Sequence, residues 1–305
     1  MEIRQAVIPN EFRHTIALRE GDYGVQHWTV GDVDIHAVPQ AVIPIPPALL
    51  FAGALERCAD DSLADYCDAS GNVLMAIQSY LIACEASRVL VDTCFAESFL
   101  RSRNIPDRFE ESLAANGFNP SDITAVVCTH LHRDHAGRNT VEQDGQWVPR
   151  FEGADYLVTA AEHAHWTEFT GEDRAAPECV APLAQHGKLR LVGPDHQLTE
   201  AVRLVPTAGH IPGHVSVRIE SAGAVAYISG DVVHHPVQIG DPEISARPDA
   251  DASAARASRL DLLRRVADER ALLLGSHFAV PSGGYIKSAG AGLAWQPLVE
   301  REGAR

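Results

Sequence analysis

The sequence predicts an α/β fold built as two similar halves, and three observations lead there. Short β-type runs alternate with helical stretches along all 305 residues, with a division near residue 195. The run ITAVVCTH, residues 123–130, is almost continuously apolar, as strands buried on both faces are. In both halves, histidines stand directly after strand ends, where sites collect in layered α/β folds.

Residues 1–30 read as an N-terminal extension, 31–290 as one domain and 291–305 as a C-terminal tail. Strand pattern begins at GDVDIHAVPQ, residues 31–40. Residues 41–72 look loop-rich, because Pro44, Pro46 and Pro47 rule out a regular helix. The apolar VIPIPPALLF stretch inside it suits either a pocket wall or a buried connector. VLMAIQSYLIAC and SRVLVDTC are strands separated by a turn. AESFLRSRN and DRFEESLAANG are helices, the second stopped at Gly117. DYLVTA, KLRLV, AVRLVPTAG, VSVRIE, AVAYISGD and ALLLGSHF are further strands. Residues 252–269 form a helix whose apolar stripe reads as Ala257, Leu260, Leu263 and Ala267.

Composition is that of an ordinary globular protein, with 46% hydrophobic residues, enough for a sizeable core. With 25 basic and 41 acidic residues the net charge is −16, which repels polyphosphates, so no nucleic-acid partner is expected. No apolar run of transmembrane length exists, so no membrane span is expected. The charged start MEIRQAVIPNEFRH lacks the apolar stretch of a secretory signal. The six cysteines, Cys58, Cys67, Cys84, Cys94, Cys128 and Cys179, form no CxxC pair. Free thiols in a reducing cytoplasm are the expectation, with Cys84, Cys94 and Cys128 as small core residues and a Cys58–Cys67 bridge left open.

The densest chemistry is His130-Leu131-His132-Arg133-Asp134-His135, directly after a strand. Imidazole and carboxylate suit zinc and neighbouring divalent metals. A two-residue spacing on extended chain points His130 and His132 to one side. The chain then turns, so that Asp134 and His135 can face a second metal. Without metal, such a cluster crowds polar groups together with nothing to compensate.

This HxHxDH run resembles the metallo-β-lactamase superfamily, and the resemblance extends from about residue 32 to 290 with the family's other motifs in order. SRVLVDTC supplies Asp92, TAGHIPGH supplies His210, YISGD supplies Asp231 and LLLGSHFAVP supplies His277. The resemblance implies a four-layer αββα sandwich. It also implies two divalent metal ions, zinc foremost, the first held by His130, His132 and His210, the second by Asp134, His135 and His277. Asp231 and a hydroxide would bridge them, and Asp92 would support the donors. His214 matches less well than His210 and reads as a structural neighbour. His234 and His235 follow Asp231 beside the metals, where one can contact substrate or donate a proton. His14, His27, His36, His163, His165, His186 and His196 match no motif.

The chemistry implied is hydrolysis: a hydroxide attacks a carbonyl or phosphoryl centre, with Asp134, Asp231 and His234 as catalytic groups. No G-x-S-x-G nucleophile elbow is present. HHP after Asp231 and SHFAVPSGG resemble the N-acyl homoserine lactonase and methyl parathion hydrolase-like group. The expected substrate is therefore a small ester or lactone. Many lactonases of that group carry Tyr where His234 stands. Alternatives are organophosphate triester hydrolysis, glyoxalase II-like thioester hydrolysis and, outside hydrolysis, a mononuclear iron persulfide dioxygenase. The absence of a basic cluster in the tail ranks the glyoxalase reading lower. A homodimer stays open, since no interface pattern is legible.

Overall fold

The computed structural model describes residues 12–17, 25–52, 61–169, 176–290 and 292–298. The first sheet takes β1 (Phe12–Ala17), β2 (Val25–Val30), β3 (Val33–Ile45), β4 (Val73–Cys84), β5 (Ser87–Val91), β6 (Ala125–Val127), β9 (Asp155–Thr159) and β10 (Leu189–Val192), in that spatial order. β7 (Thr140–Gln143) and β8 (Gln146–Pro149) make a separate hairpin. The second sheet runs β11 (Val202–Pro206), β12 (Val215–Ser221), β13 (Ala224–Ile228), β14 (Leu272–Leu274), β15 (Gly283–Ala289) and β16 (Gly292–Pro297). The helices are α1 (Pro47–Leu50), α2 (Glu97–Ser102), α3 (Phe109–Ala115), α4 (Arg133–Ala136), α5 (Ala160–Glu168), α6 (Ala176–Cys179), α7 (Ala181–Gln185), α8 (Val237–Gly240) and α9 (Ala252–Asp268).

Period-two alternation produces the layers. In β4, Tyr80 and Ile82 face the second sheet while Ile77 and Leu81 face the helices outside the first. In β14, Leu272 and Leu274 join the core between the sheets, and Leu273 joins the outer core under α9. The middle core combines Ile35, Tyr80, Val89 and Val127 with Val217, Ile219, Ala226 and Leu274. One outer core packs Phe109, Leu113, Trp166 and Leu183 on the first sheet. The other packs Ile239, Leu262, Leu263 and Val266 on the second. The result is an αββα sandwich whose halves meet near residue 195, as expected.

Two expectations change. The proline-rich stretch is not loop: β3 continues through Pro44, which pairs with Leu74, after an irregularity between Pro39 and Ala41. α1 then starts at Pro47, a first-turn position where the missing N–H costs nothing. Leu50 and Phe51 are buried, so this part of the stretch is a connector. The buried stripe of α9 is Ala255, Arg259, Leu262, Leu263 and Val266, while Ala257 is exposed. The stripe shifts because Arg259, polar by type, points inward.

Within the stretch read as an extension, β1 pairs with β2 and β2 with β3, and within the tail β16 pairs with β15. Cys84, Cys94 and Cys128 are buried as expected. The Cys58–Cys67 question lies outside the described residues, because Cys58 is not among them. No helix among the described residues is long and apolar enough to cross a membrane.

Candidate metal centre

The parallel pairs β5–β6 and β13–β14 sit one in each sheet. The chain leaves each of these strands at its C-terminal end, and the predicted residues lie just beyond. Asp92 follows β5, His130 to His135 follow β6, Asp231 follows β13 and His277 follows β14. His210 sits in the turn after β11.

The structure brings every predicted donor together in two groups. His130, His132, His210 and Asp231 form one; Asp134, His135 and His277 form the other. His132 Nδ1 is 2.9 Å from His130 Nε2 and 3.0 Å from His210 Nε2. His135 Nε2 is 3.1 Å from His277 Nε2. Asp231 stands between the groups. Its Oδ2 is 3.4 Å from His210 Nε2 and 3.7 Å from His130 Nε2. Its Oδ1 is 3.1 Å from His135 Nε2 and 3.0 Å from His277 Nε2. Asp134 Oδ2 is 3.6 Å from His277 Nε2.

The far sides of the rings fix which nitrogens face inward. His135 Nδ1 meets Asp92 Oδ2 at 2.8 Å, His210 Nδ1 meets Asp249 Oδ1 at 3.0 Å and His277 Nδ1 meets the Ala76 carbonyl at 2.8 Å. These oxygens only accept, so the Nδ1 atoms carry the protons and the Nε2 lone pairs converge. Converging lone pairs repel unless an electrophile lies among them. Tetrahedral zinc with N ligands at about 2.0–2.1 Å separates those ligands by about 3.3 Å. The observed separations are near this, so the residues fit a pair of divalent metals. Asp231 Oδ1, buried and without a hydrogen bond, points the same way.

Electrostatics agree. Burial, with His135 nearby, holds His130 well below the usual imidazole range, and burial with His210 brings His132 down to about 3. Both are neutral donors at pH 7. Burial also disfavours charge on His135 and His277, yet Asp231, with Asp92 and Asp134 at His135, outweighs it and raises both. Burial alone would raise Asp231, but His135, His277 and His234 hold it well below the carboxylate range. The second group therefore favours positive charge, which a divalent ion supplies.

Support comes from loops that the strands present. Asp92 has φ of +61°, which aims both its oxygens at the His130 loop. They accept from the Thr129 N–H at 2.7 Å, the Thr129 hydroxyl at 2.9 Å and His135. His214 is not in either donor group: its Nδ1 bonds Thr207 Oγ1 at 2.8 Å and its Nε2 accepts the Asp231 N–H at 2.8 Å. His234 Nε2 lies 3.3 Å from Asp231 Oδ2, buried, with neither ring nitrogen hydrogen-bonded. His235 turns away, edge-on to Phe51 and Tyr66.

Two residues were invisible in the sequence. Asp249 orients His210 and meets Arg259 of α9 at 3.4 Å. Glu162 of α5 accepts from the Leu131 N–H at 2.8 Å, between two predicted donors. Its nearest sequence cue is Trp166 one helical turn later.

Gly209, before His210, has φ of +138°, and a Cβ there would stand 2.1 Å from Ala255 N of α9. Gly209→Ala is expected to cost at least about 2 kcal/mol of stability and to weaken metal binding, since either α9 or the His210 turn must shift. Thermal unfolding and zinc titration check this; a wild-type melting point would show that the turn adapts freely.

A family model described as Metallo-beta-lactamase superfamily matches residues 73–277. An N-acyl homoserine lactonase of Bacillus cereus is 28% identical over 170 residues, 50% of this chain and 61% of that protein. N-acyl homoserine lactonase AiiB of Agrobacterium fabrum is 29% identical over 195 residues, 54% of this chain and 66% of that protein. The chain thus spans about 60% of the first relatives' length. The hydrolase AbOPH of the beta lactamase superfamily shares the fold with a TM-score of 0.77 at 24% identity, over 90% of this chain and 98% of that one. The dizinc quorum-quenching lactonase AidC does so with a TM-score of 0.74 at 21% identity, over 96% and 100%.

Proposed function

The chain belongs to the metallo-beta-lactamase superfamily, and from that premise we propose that it is a dinuclear, zinc-dependent hydrolase that opens a lactone or cleaves a small ester. One observation carries the reading: the two oxygens of Asp231 each face a different donor group, 3.4 Å from His210 on one side and 3.0 Å from His277 on the other. A carboxylate so placed is built to bridge two cations. The second donor group, with Asp134, His135 and His277, argues against a mononuclear iron enzyme.

Two zinc ions held there would bring the pKa of a water from about 15.7 towards about 7 and polarise a carbonyl oxygen. The chain's residues do the rest. Asp134, the most exposed of the second group, can accept the proton of an attacking water. Burial keeps His234 neutral, so in our proposal its ring N–H contacts the substrate, while Asp134 passes the proton it has accepted to the leaving alkoxide. The lactonases among the relatives support the lactone substrate class. His234, in place of the tyrosine that many lactonases have, favours phosphotriester hydrolysis as the second reading. With buried thiols Cys94 and Cys128, the proposal places the protein in the cytoplasm.

The test is metal content by mass spectrometry together with turnover of a panel of lactones, aryl esters and paraoxon-type triesters, before and after chelation. The expected result is about two zinc per chain, with lactone or ester turnover abolished by chelator and restored by zinc. Turnover of triesters alone moves the assignment to the second reading, and one iron per chain with oxygen uptake overturns hydrolysis.

A further inference from the structure

Five histidines direct a nitrogen into the two donor groups. Four of them have the opposite nitrogen held by a hydrogen bond: His130 by Thr129 Oγ1 at 3.1 Å, His135 by Asp92, His210 by Asp249 and His277 by the Ala76 carbonyl. His132 differs. It turns Nδ1 inward, and its Nε2 meets no hydrogen-bond partner among the described residues. Among the described residues, packing is what bears on its orientation.

That packing is Trp166, whose indole meets the His132 ring edge to face with centroids 5.4 Å apart and planes at 80°. The indole is itself anchored, because Nε1 donates to Glu162 Oε1 at 2.6 Å. The same oxygen accepts the Leu131 N–H at 2.8 Å. One carboxylate oxygen thus fixes both the backbone between His130 and His132 and the ring that holds His132 in place. Glu162 and Trp166 are one turn apart on α5, so both reach the same spot. The helix cannot drift: Thr159 caps it, accepting the Glu162 N–H at 3.2 Å and donating to the Gly213 carbonyl at 2.8 Å. Gly213 lies so close that a Cβ there would stand 2.2 Å from Glu162 N.

We propose that Glu162 is a positioning residue for His132, acting through Trp166 and the Leu131 N–H in the role that a direct hydrogen bond plays for the other four histidines. The inference rests on reading the first donor group as a metal site. A buried glutamate could instead serve stability alone, and the two roles predict different variants. Groups that orient a metal-bound histidine are worth about 10–100-fold in metal affinity. Glu162→Gln keeps Oε1 as an acceptor; Glu162→Met removes it; Trp166→Phe keeps an aromatic ring but cuts its tie to Glu162.

The experiment is zinc titration against a competing chelator and the visible spectrum of the cobalt(II)-loaded full chain, alongside thermal unfolding. Glu162→Gln is expected to bind within about threefold of wild type with an unchanged cobalt spectrum, since its acceptor oxygen remains. Glu162→Met is expected to bind one ion about 10–100-fold more weakly with a shifted spectrum, and Trp166→Phe to fall between. Should Glu162→Met not fold, Trp166→Phe carries the test with the same two readouts. Unchanged affinity and spectrum in Glu162→Met, or in Trp166→Phe, with only a lower melting point would overturn the proposal. A wild-type chain that takes up no metal would fail in a different way, removing the metal-site reading and the proposal with it.

Discussion

Asp231→Ala is expected to lower hydrolysis by at least about 10³-fold, because losing the metal-borne stabilisation of developing charge removes several kcal/mol from the transition state. The size of the effect follows from where the carboxylate sits. Among the described residues it is the one carboxylate close to inward nitrogens of both donor groups, within 3.7 Å of His130, His135, His210 and His277. Without it, five imidazoles and Asp134 remain around a centre that has lost the carboxylate between its two halves. Metal content is expected to fall below two per chain, so inactivity and metal loss should move together. Folding is a separate question, answered by circular dichroism: the strands that present these residues are held by their own cores. A folded Asp231→Ala chain with two zinc ions and wild-type turnover would remove the bridging role and the dinuclear reading with it.

The donor cluster was legible in the sequence because its logic is local. An apolar strand, a two-residue spacing and a tight turn suffice to place His130, His132, Asp134 and His135, and none of that depends on distant chain. The two halves were legible for a similar reason, since strand alternation is a short-range pattern. What stayed hidden depends on chain crossings. Asp249 lies 39 residues from His210 and in a loop, so no local pattern marks its contact. Arg259 breaks the apolar stripe of α9, so an apolar pattern picks out Leu260 and Ala267 in place of the buried Arg259 and Val266 beside them. The β7–β8 hairpin did carry a local signal, Asp144-Gly145, both at positive φ as a tight two-residue turn requires. The prolines exclude a regular helix but not an extended chain, and Pro44 occupies a paired position in β3.

Asp249 and Arg259 separate stability from metal binding, and the pair gives the second large expected effect. Arg259 is fully buried and donates to the carbonyls of Val232, Pro242 and Ile244, each at 2.9 Å. Its charge is balanced by Asp249, whose Oδ2 is 3.4 Å away and whose Oδ1 holds His210. Burial alone would raise the Asp249 pKa, but His210, His234 and Arg259 lower it, so it stays anionic. Asp249→Ala is expected to cost about 3–5 kcal/mol, because it strands a buried guanidinium, and also to weaken zinc binding by about 10–100-fold through His210. Arg259→Met removes the cation but leaves Asp249 against His210, so it should lower the melting point while zinc affinity changes far less. In the Asp249→Ala/Arg259→Met chain no charge is stranded, and stability is expected to recover in part, as buried ion pairs replaced by apolar groups often do. Zinc affinity should not recover, since nothing then orients His210. Unfolding curves and zinc titrations on the three chains decide it. If affinity recovers along with stability, Asp249 acts on the metal site only through the fold.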